Sequence, residues 1–402
     1  MHDSPTTDVS QLNAEARGLR VIGHTDLNGS GDAMHVNFYD KYAYVGHMGD
    51  RSIGTSVVDI SDPTNPRVVY QMEKPDGVRT HKVQILGDIL LVNQEIYPNA
   101  QPDPALPTGF KVFSLEDPTR PNELAYYHMP GHGVHRFKYI EEPYVYMSGS
   151  DLGFDRQIFM IFDLSDPANP VEVSRWWLPG MNHGAGEESR WHSGRDVWHH
   201  HANIVGDRAY CSWWDGGVVI LDISDKSAPK LVKHIILDDL ASPPQVSGSV
   251  HSVLPIPERN LLIVTEEEIV DDLATQKKYV RVFDISDEQR PRQISILPEP
   301  QGDFHTRGGR FGPHNLHEMR AGTYQSVDEV FVTYFSAGVR VYDLSDPFSP
   351  RELAYHVPPS PDGKRAIQMN DLIVNSDGLI YATDRHDGGM YIFERTDDWG
   401  VR

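Results

Sequence analysis

Leu221–Pro229 reads Leu-Asp-Ile-Ser-Asp-Lys-Ser-Ala-Pro, and variants of this stretch recur along the chain. Val58–Pro66 is Val-Asp-Ile-Ser-Asp-Pro-Thr-Asn-Pro, and Phe113–Pro121, Phe162–Pro170, Phe283–Pro291 and Tyr342–Pro350 repeat it with small changes. The shared aspartate falls at Asp62, Asp117, Asp166, Asp225, Asp287 and Asp346, so successive copies lie 55, 49, 59, 62 and 59 residues apart. A period of this size marks propellers and other repeat arrays. Each copy stands between two apolar runs of strand length. Asp, Ser and Pro suit tight turns because the side-chain oxygens bond the backbone and Pro presets φ. The motif therefore predicts a turn between the third and fourth strands of a repeating unit and carries no catalytic weight.

Working outward, six units of four strands follow, each opening near a histidine: His35–Tyr39, His81–Leu86, His135–Ile140, His200–Val205, His251–Ile256 and His314–Met319. A seventh has three strands only, Asn370–Asn375, Leu379–Thr383 and Gly389–Glu394. Leu19–Leu27, at the other end of the chain, supplies the missing outer strand and removes an exposed sheet edge. The expected fold is an all-β, seven-bladed β-propeller closed by its N-terminal strand. Residues 1–18 read as a flexible polar tail and 19–402 as one propeller domain.

Composition agrees. The 402 residues include 33 Gly and 29 Pro, which suits short strands and many turns. A net charge of −22 argues against nucleic acid and anionic membrane surfaces as partners. No run approaches the roughly 18 apolar residues of a membrane helix, and no basic–apolar leader opens the chain. The single cysteine, Cys211, permits no internal disulfide, and a cytoplasmic location is the simplest expectation. A small-molecule substrate is the expected partner, and the oligomeric state is open.

The run Val-Val-Ile-Leu-Asp-Ile-Ser-Asp at Val218–Asp225 and its relatives resemble the LVIVD-repeat β-propeller proteins. That resemblance spans nearly the whole chain and implies the propeller. The Asp-Ile-Ser-Asp-x-x-x-Pro turn is also similar to one in selenium-binding proteins with methanethiol oxidase activity, a propeller family associated with copper.

With the blades aligned on the turn between their first two strands, six of seven begin the innermost strand with histidine, and the seventh has Asn370. These strands line a propeller's channel, so their ends converge. Candidate metal ligands are His81, His135, His200, His251, His314 and His317. Of His199-His200-His201, alternation forbids all three from facing inward, and the blade alignment selects His200, with His199 and His201 as the alternatives. His314 and His317 differ by an odd number of residues, so a regular strand turns only one of them inward. The second strands return carboxylates to the same face, with Glu95, Asp215 and Glu267 as candidate bases. Two long Gly-rich loops, Pro179–Trp198 and Glu299–Pro313, enter there as candidate lids, and the second carries Arg307 and Arg310 to clamp a carboxylate.

Imidazoles facing carboxylates can hold a divalent transition metal such as zinc, manganese or iron, with copper a further candidate. The leading expectation is a metal-dependent hydrolase or lyase acting on a small polar or anionic organic molecule. An iron- or copper-dependent oxidoreductase is the first alternative, because neutral imidazole suits those metals. A non-catalytic binding scaffold is the second. Gly-x-Ser-x-Gly, His-Glu-x-x-His and Cys-x-x-Cys are all absent.

Overall fold

The structure, a computed structural model, describes residues 15–49, 51–238, 249–273 and 277–400. It holds seven antiparallel sheets, the blades of a β-propeller. Blade 1 is Ala33–Tyr39, Tyr42–His47, Ile53–Asp59 and Arg67–Glu73. Blade 2 opens with a split strand, Val78–Arg79 and Val83–Leu86, followed by Ile89–Ile96, Gly109–Ser114 and Asn122–His128. Blade 3 is Val134–Lys138, Tyr144–Gly149, Ile158–Asp163 and Val171–Trp176; blade 4 is His201–Val205, Arg208–Ser212, Val218–Asp222 and Lys230–Ile235. Blade 5 is Val250–Ile256, Leu261–Glu266, Val280–Asp284 and Arg292–Ile296.

The last two blades depend on the N-terminal segment. Leu19–Thr25 pairs with Gly389–Arg395 and completes blade 7, whose other strands are Met369–Val374 and Ile380–Asp384. This is the closure expected from the sequence. Glu15–Arg17 also forms a strand, on the outer edge of blade 6 against Arg351–Val357. Glu15–Arg17 are therefore a strand and not part of the tail expected over 1–18, because they pair with an otherwise open blade edge; residues 1–14 lie outside the described residues. In blade 6 the expected first strand, His314–Met319, is not regular. It is held beside Glu329–Thr333 by the His314 N–H to Thr333 O bond of 2.9 Å and a bridge from Leu316 to Val332.

The repeated aspartates sit in the turns between third and fourth strands. In the first copy Asp62 Oδ1 accepts the Thr64 N–H at 3.0 Å and its carbonyl accepts the Asn65 N–H at 3.0 Å. Asp117 and Asp225 do the same with Thr119 and Ser227. These bonds hold the three carboxyls below the usual range, and all three are exposed.

The chain divides by its contacts into two compact units. The central unit, Lys74–Glu267 with Phe283–Gln293, holds blades 2, 3 and 4 and the first two strands of blade 5. The terminal unit, Met1–Glu73, Glu268–Val282 and Ile294–Arg402, holds blades 1, 6 and 7. The central core packs Leu91, Phe110, Phe137, Phe159, Phe162 and Trp213 between blades. Burying each such side chain contributes about 1.5–3 kcal/mol. In the terminal unit Ala33, Val45, Ile373 and Ile392 play the same part. Second strands are buried along their length, as in Ile89–Ile96, while fourth strands such as Arg67–Glu73 alternate toward solvent. Among the described residues no helix is long and apolar enough to cross a membrane.

Candidate metal centre

One backbone device recurs where the histidines lie. In blades 1, 3, 5 and 7 the pairing of the first two strands slips by one residue, between Ala33 and His35, Val134 and Arg136, Val250 and Ser252, and Met369 and Asp371. In blade 4 both His200 and His201 face Ser212; in blade 6 both His314 and Asn315 face Thr333. Blade 2 breaks between Arg79 and Val83. Two residues opposite one is a β-bulge, which re-aims a side chain and interrupts the ladder. Aligned on the bulge, the seven blades present Met34, His81, His135, His200, His251, His314 and Asn370. His35 lies one residue beyond this position, so five blades, not six, place histidine there. A one-residue slip moves a side chain to the other face of a strand.

The second strands satisfy what the bulges expose. Asn93 Oδ1 accepts the Lys82 N–H at 2.8 Å, Thr265 Oγ1 the Ser252 N–H at 3.1 Å, and Thr333 Oγ1 the Asn315 N–H at 3.1 Å. Asn93 Nδ2 also donates to Val134 O at 2.8 Å and Ser212 Oγ to His251 O at 2.8 Å, each in the next blade. A buried backbone group left without a partner would cost about 1–3 kcal/mol, so these small polar residues are part of the bulge. A hydroxyl or amide residue in mid-strand was the sequence signal for them.

In the central unit the bulge histidines form a row. Ring centroids are 5.2 Å apart for His81 and His135, 4.5 Å for His135 and His200, and 4.0 Å for His200 and His251. All four are at most 6% exposed, so any charge on them must be matched locally. His135 Nδ1 donates to Glu95, at 3.0 Å from Oε1 and 3.1 Å from Oε2. His200 Nδ1 donates to the His251 carbonyl at 2.8 Å. Both Nδ1 atoms thus carry a proton, and the two Nε2 atoms stand 2.9 Å apart. His81 Nε2 is 3.5 Å from Glu95 Oε2, and His251 Nε2 is 3.8 Å from Glu267 Oε2. Donor atoms of His81, Glu95 and His135 lie within 4.8 Å of one another, near enough to share an ion.

Burial keeps the His135 and His200 imidazoles neutral. Burial lowers His135 to about 4 against the opposing pull of Glu95, and burial holds His200 well below its ordinary value. Burial alone would raise Glu95, but the charges and hydrogen bonds of His135 and Arg79 outweigh it and bring the carboxyl to about 2. Glu95 accepts from Arg79 Nη2 at 2.7 Å and Nε at 3.1 Å, and from Gln157 Nε2 at 2.6 Å. This carboxylate is thus engaged by His135, Arg79 and Gln157 together.

Loop 179–198 reaches the same cluster. Trp198 lies 5.1 Å from the His135 ring and 5.3 Å from His200. The Arg156 guanidinium covers Trp198 at 4.8 Å and is held by Asp196 at 3.1 Å. Neither Trp198 nor Arg156 is among the site residues expected from the sequence.

Other sequence candidates have different partners. Asp215 accepts the backbone N–H groups of Asp196 at 2.9 Å and Ser249 at 2.8 Å, a loop-tying bond pattern. Arg307 belongs to the terminal unit and pairs with Glu15 at 2.7 Å and Asp303 at 2.5 Å. Arg310, in the same unit, reaches Asp271 at 3.4 Å. His314 Nδ1 bonds the Asn370 carbonyl at 2.5 Å. His317 uses both ring nitrogens on backbone, Nε2 to Tyr324 O at 2.9 Å and Nδ1 from the Val374 N–H at 3.2 Å.

Comparison with known proteins bears on the fold. A family model for the LVIVD repeat matches residues 30–73, 142–176 and 200–235. No curated protein matches the chain. Among solved structures, the N-terminal domain of Nup159 is similar over 96% of this chain and 98% of that one, with a TM-score of 0.59 at 12% identity. The β-propeller domain of Cps50 (Swd1) from Myceliophteria thermophila covers 93% and 98%, with 0.56 at 12%. The periplasmic gluconolactonase PpgL of Pseudomonas aeruginosa covers 96% and 97%, with 0.54 at 13%. Identities this low carry fold and not function. Repeat match and sheet topology together show a seven-bladed β-propeller with LVIVD repeats in blades 1, 3 and 4.

Proposed function

We propose that the central unit binds a transition-metal ion at its imidazole row and that the protein is a metal-dependent oxidoreductase acting on a small organic molecule. One observation carries the metal: the His135 and His200 Nε2 atoms stand 2.9 Å apart, each with its own Nδ1 proton spent on an acceptor. Two imidazole nitrogens this close repel unless a proton is shared between them or both bind one metal ion. Metal–imidazole bonds of about 2.0–2.1 Å at a right angle separate two ligand nitrogens by about 2.9 Å. His135 and His200 are the proposed core ligands, with His81 and His251 as neighbours able to join them.

The donor set favours redox chemistry. His135 and His200 are held neutral by burial, and Glu95 stands behind His135 as its hydrogen-bond partner. Such a set suits iron or copper, which supplies one-electron and dioxygen chemistry when bound. A hydrolase or lyase that used Glu95 or Asp215 as its base would need that carboxylate free and near neutral pKa. Glu95 at about 2 is poorly matched to that task, and Asp215 is engaged by backbone. Around the ion, this chain's own residues would exclude water with Trp198 and Trp214 and fix the imidazole tautomers through Glu95 and the His251 carbonyl.

The test is metal analysis of the purified chain, before and after exposure to iron(II), copper(II), zinc and manganese. Retention of iron or copper, with oxygen uptake on reduction, supports the reading. Zinc retention without oxygen uptake restores the hydrolase reading. A chain that takes up no metal leaves a proton shared between His135 and His200, and a binding scaffold as its use.

A further inference from the structure

Blades 4 and 6 share a second device. Trp213-Trp214-Asp215-Gly216-Gly217-Val218 and Tyr334-Phe335-Ser336-Ala337-Gly338-Val339 occupy equivalent turns. Trp213 N–H bonds Gly217 O at 2.8 Å, and Tyr334 N–H bonds Gly338 O at 2.7 Å. The second aromatic of each turn has a left-handed backbone, φ +49° at Trp214 and +41° at Phe335. That region is disfavoured for bulky side chains and persists only where surroundings hold it. Gly217 and Gly338 anchor the turn, since a Cβ there would run into the carbonyls of Ile235 and His356.

The strained residue does the same thing in both blades. Trp214 lies on His200, with centroids 5.1 Å apart and planes 28° from parallel; Phe335 lies on His314 at 4.7 Å and 40°. Its carbonyl is taken by the next blade, from Val250 N–H at 2.9 Å and Met369 N–H at 3.1 Å. The imidazole beneath is pinned at its edge as well, His200 Nδ1 to His251 O and His314 Nδ1 to Asn370 O. Face and edge together leave the ring one orientation.

We infer that Trp214 is a positioning residue for the metal centre: its ring, held over His200 by the left-handed turn, fixes the imidazole plane and so the direction of the Nε2 lone pair. The inference rests on the proposed metal site. Ordinary core packing predicts only that removing Trp214 destabilises blade 4. A clamp predicts in addition that the geometry of His200 changes, and that any aromatic ring at 214 preserves it, as Phe335 does for His314.

The experiment uses the full chain loaded with copper(II) as probe. Trp214→Phe is expected to keep the wild-type electron paramagnetic resonance spectrum, and Trp214→Leu to shift it and weaken copper binding roughly tenfold, the lower end for losing an orienting partner. Trp214→Met, which refills volume without a ring, is expected to behave as the Leu variant and serves if that variant does not fold. A spectrum of either ringless variant superimposable on wild type overturns the inference. Wild type that binds no copper, iron, zinc or manganese overturns the metal site instead. The crystal structure of the ringless variant then decides the clamp: His200 turned away from the His251 carbonyl is the expected result, and an unmoved ring overturns it.

Discussion

The two units build the same bulge and fill it differently. In the central unit its residues are His81, His135, His200 and His251; in the terminal unit they are Met34, His314 and Asn370. One task is common to both. His200 and His314 donate from Nδ1 to the bulge carbonyl of the following blade, and Asn370 Nδ2 makes the same bond to Met34 O at 2.6 Å. An amide therefore suffices to join one blade to the next. What histidine adds is a second nitrogen, and in the central unit those nitrogens converge. Histidines placed for architecture alone would not need two Nε2 atoms 2.9 Å apart.

His200→Asn breaks this comparison most sharply. It copies Asn370, keeps a donor for the His251 carbonyl and deletes Nε2. Metal content is expected to fall to background while the melting temperature stays within a few degrees of wild type. The mirror change, Asn370→Ala, is expected to lower the melting temperature and leave metal content intact. Loss of a buried donor to a carbonyl typically costs about 1–3 kcal/mol. If Asn370→Ala empties the metal site, the units are not chemically distinct.

Glu95→Gln is the next largest effect. It keeps shape and removes the charge that holds the Nδ1 proton on His135. Metal affinity is expected to fall roughly 10–100-fold, as when other orienting carboxylates are removed. It also leaves the Arg79 guanidinium buried without its counter-charge, so a lower melting temperature should accompany the change.

Acid should act on the central unit in two windows. Burial holds folded His135 at about 4, against 6.5 for a free imidazole. As pH falls below 6.5 the unfolded chain takes up that proton first, so stability drops until the folded site titrates near 4. Glu95, at about 2 against an ordinary 4.5, contributes stability above 4.5 that is lost as pH falls toward 2. The melting temperature of the metal-free protein should therefore fall steadily below pH 6.5. His135→Asn should flatten the upper part of that slope, and an equal slope in the variant would contradict the assignment.

The smallest effect belongs to the motif that is plainest in the sequence. Asp62→Ala removes one exposed turn bond and should shift melting by a few degrees or less without touching metal content.

These contrasts follow what could be read from residues alone. The repeated Asp-Ile-Ser-Asp-x-x-x-Pro turn has a local cause, so it marked every blade but the seventh, and Leu19–Thr25 closed that one. The bulge has no such signature. It shifted the register so that Met34, not His35, occupies the key position. Partners distant in sequence were equally hidden: Glu15 holds Arg307, and Arg79, His135 and Gln157 saturate Glu95. A carboxylate's role depends on how many donors it already serves, which spacing does not reveal. The stacking of Trp214 on His200 was masked because aromatic pairs in strands ordinarily mean packing.

Metal content of wild type and His200→Asn, measured side by side after exposure to iron(II) and copper(II), tests the central claim most directly. The expected result is a bound iron or copper ion in wild type and none in the variant, with both chains folded alike. A metal-free wild type, or a variant that retains the same metal as wild type, would contradict it.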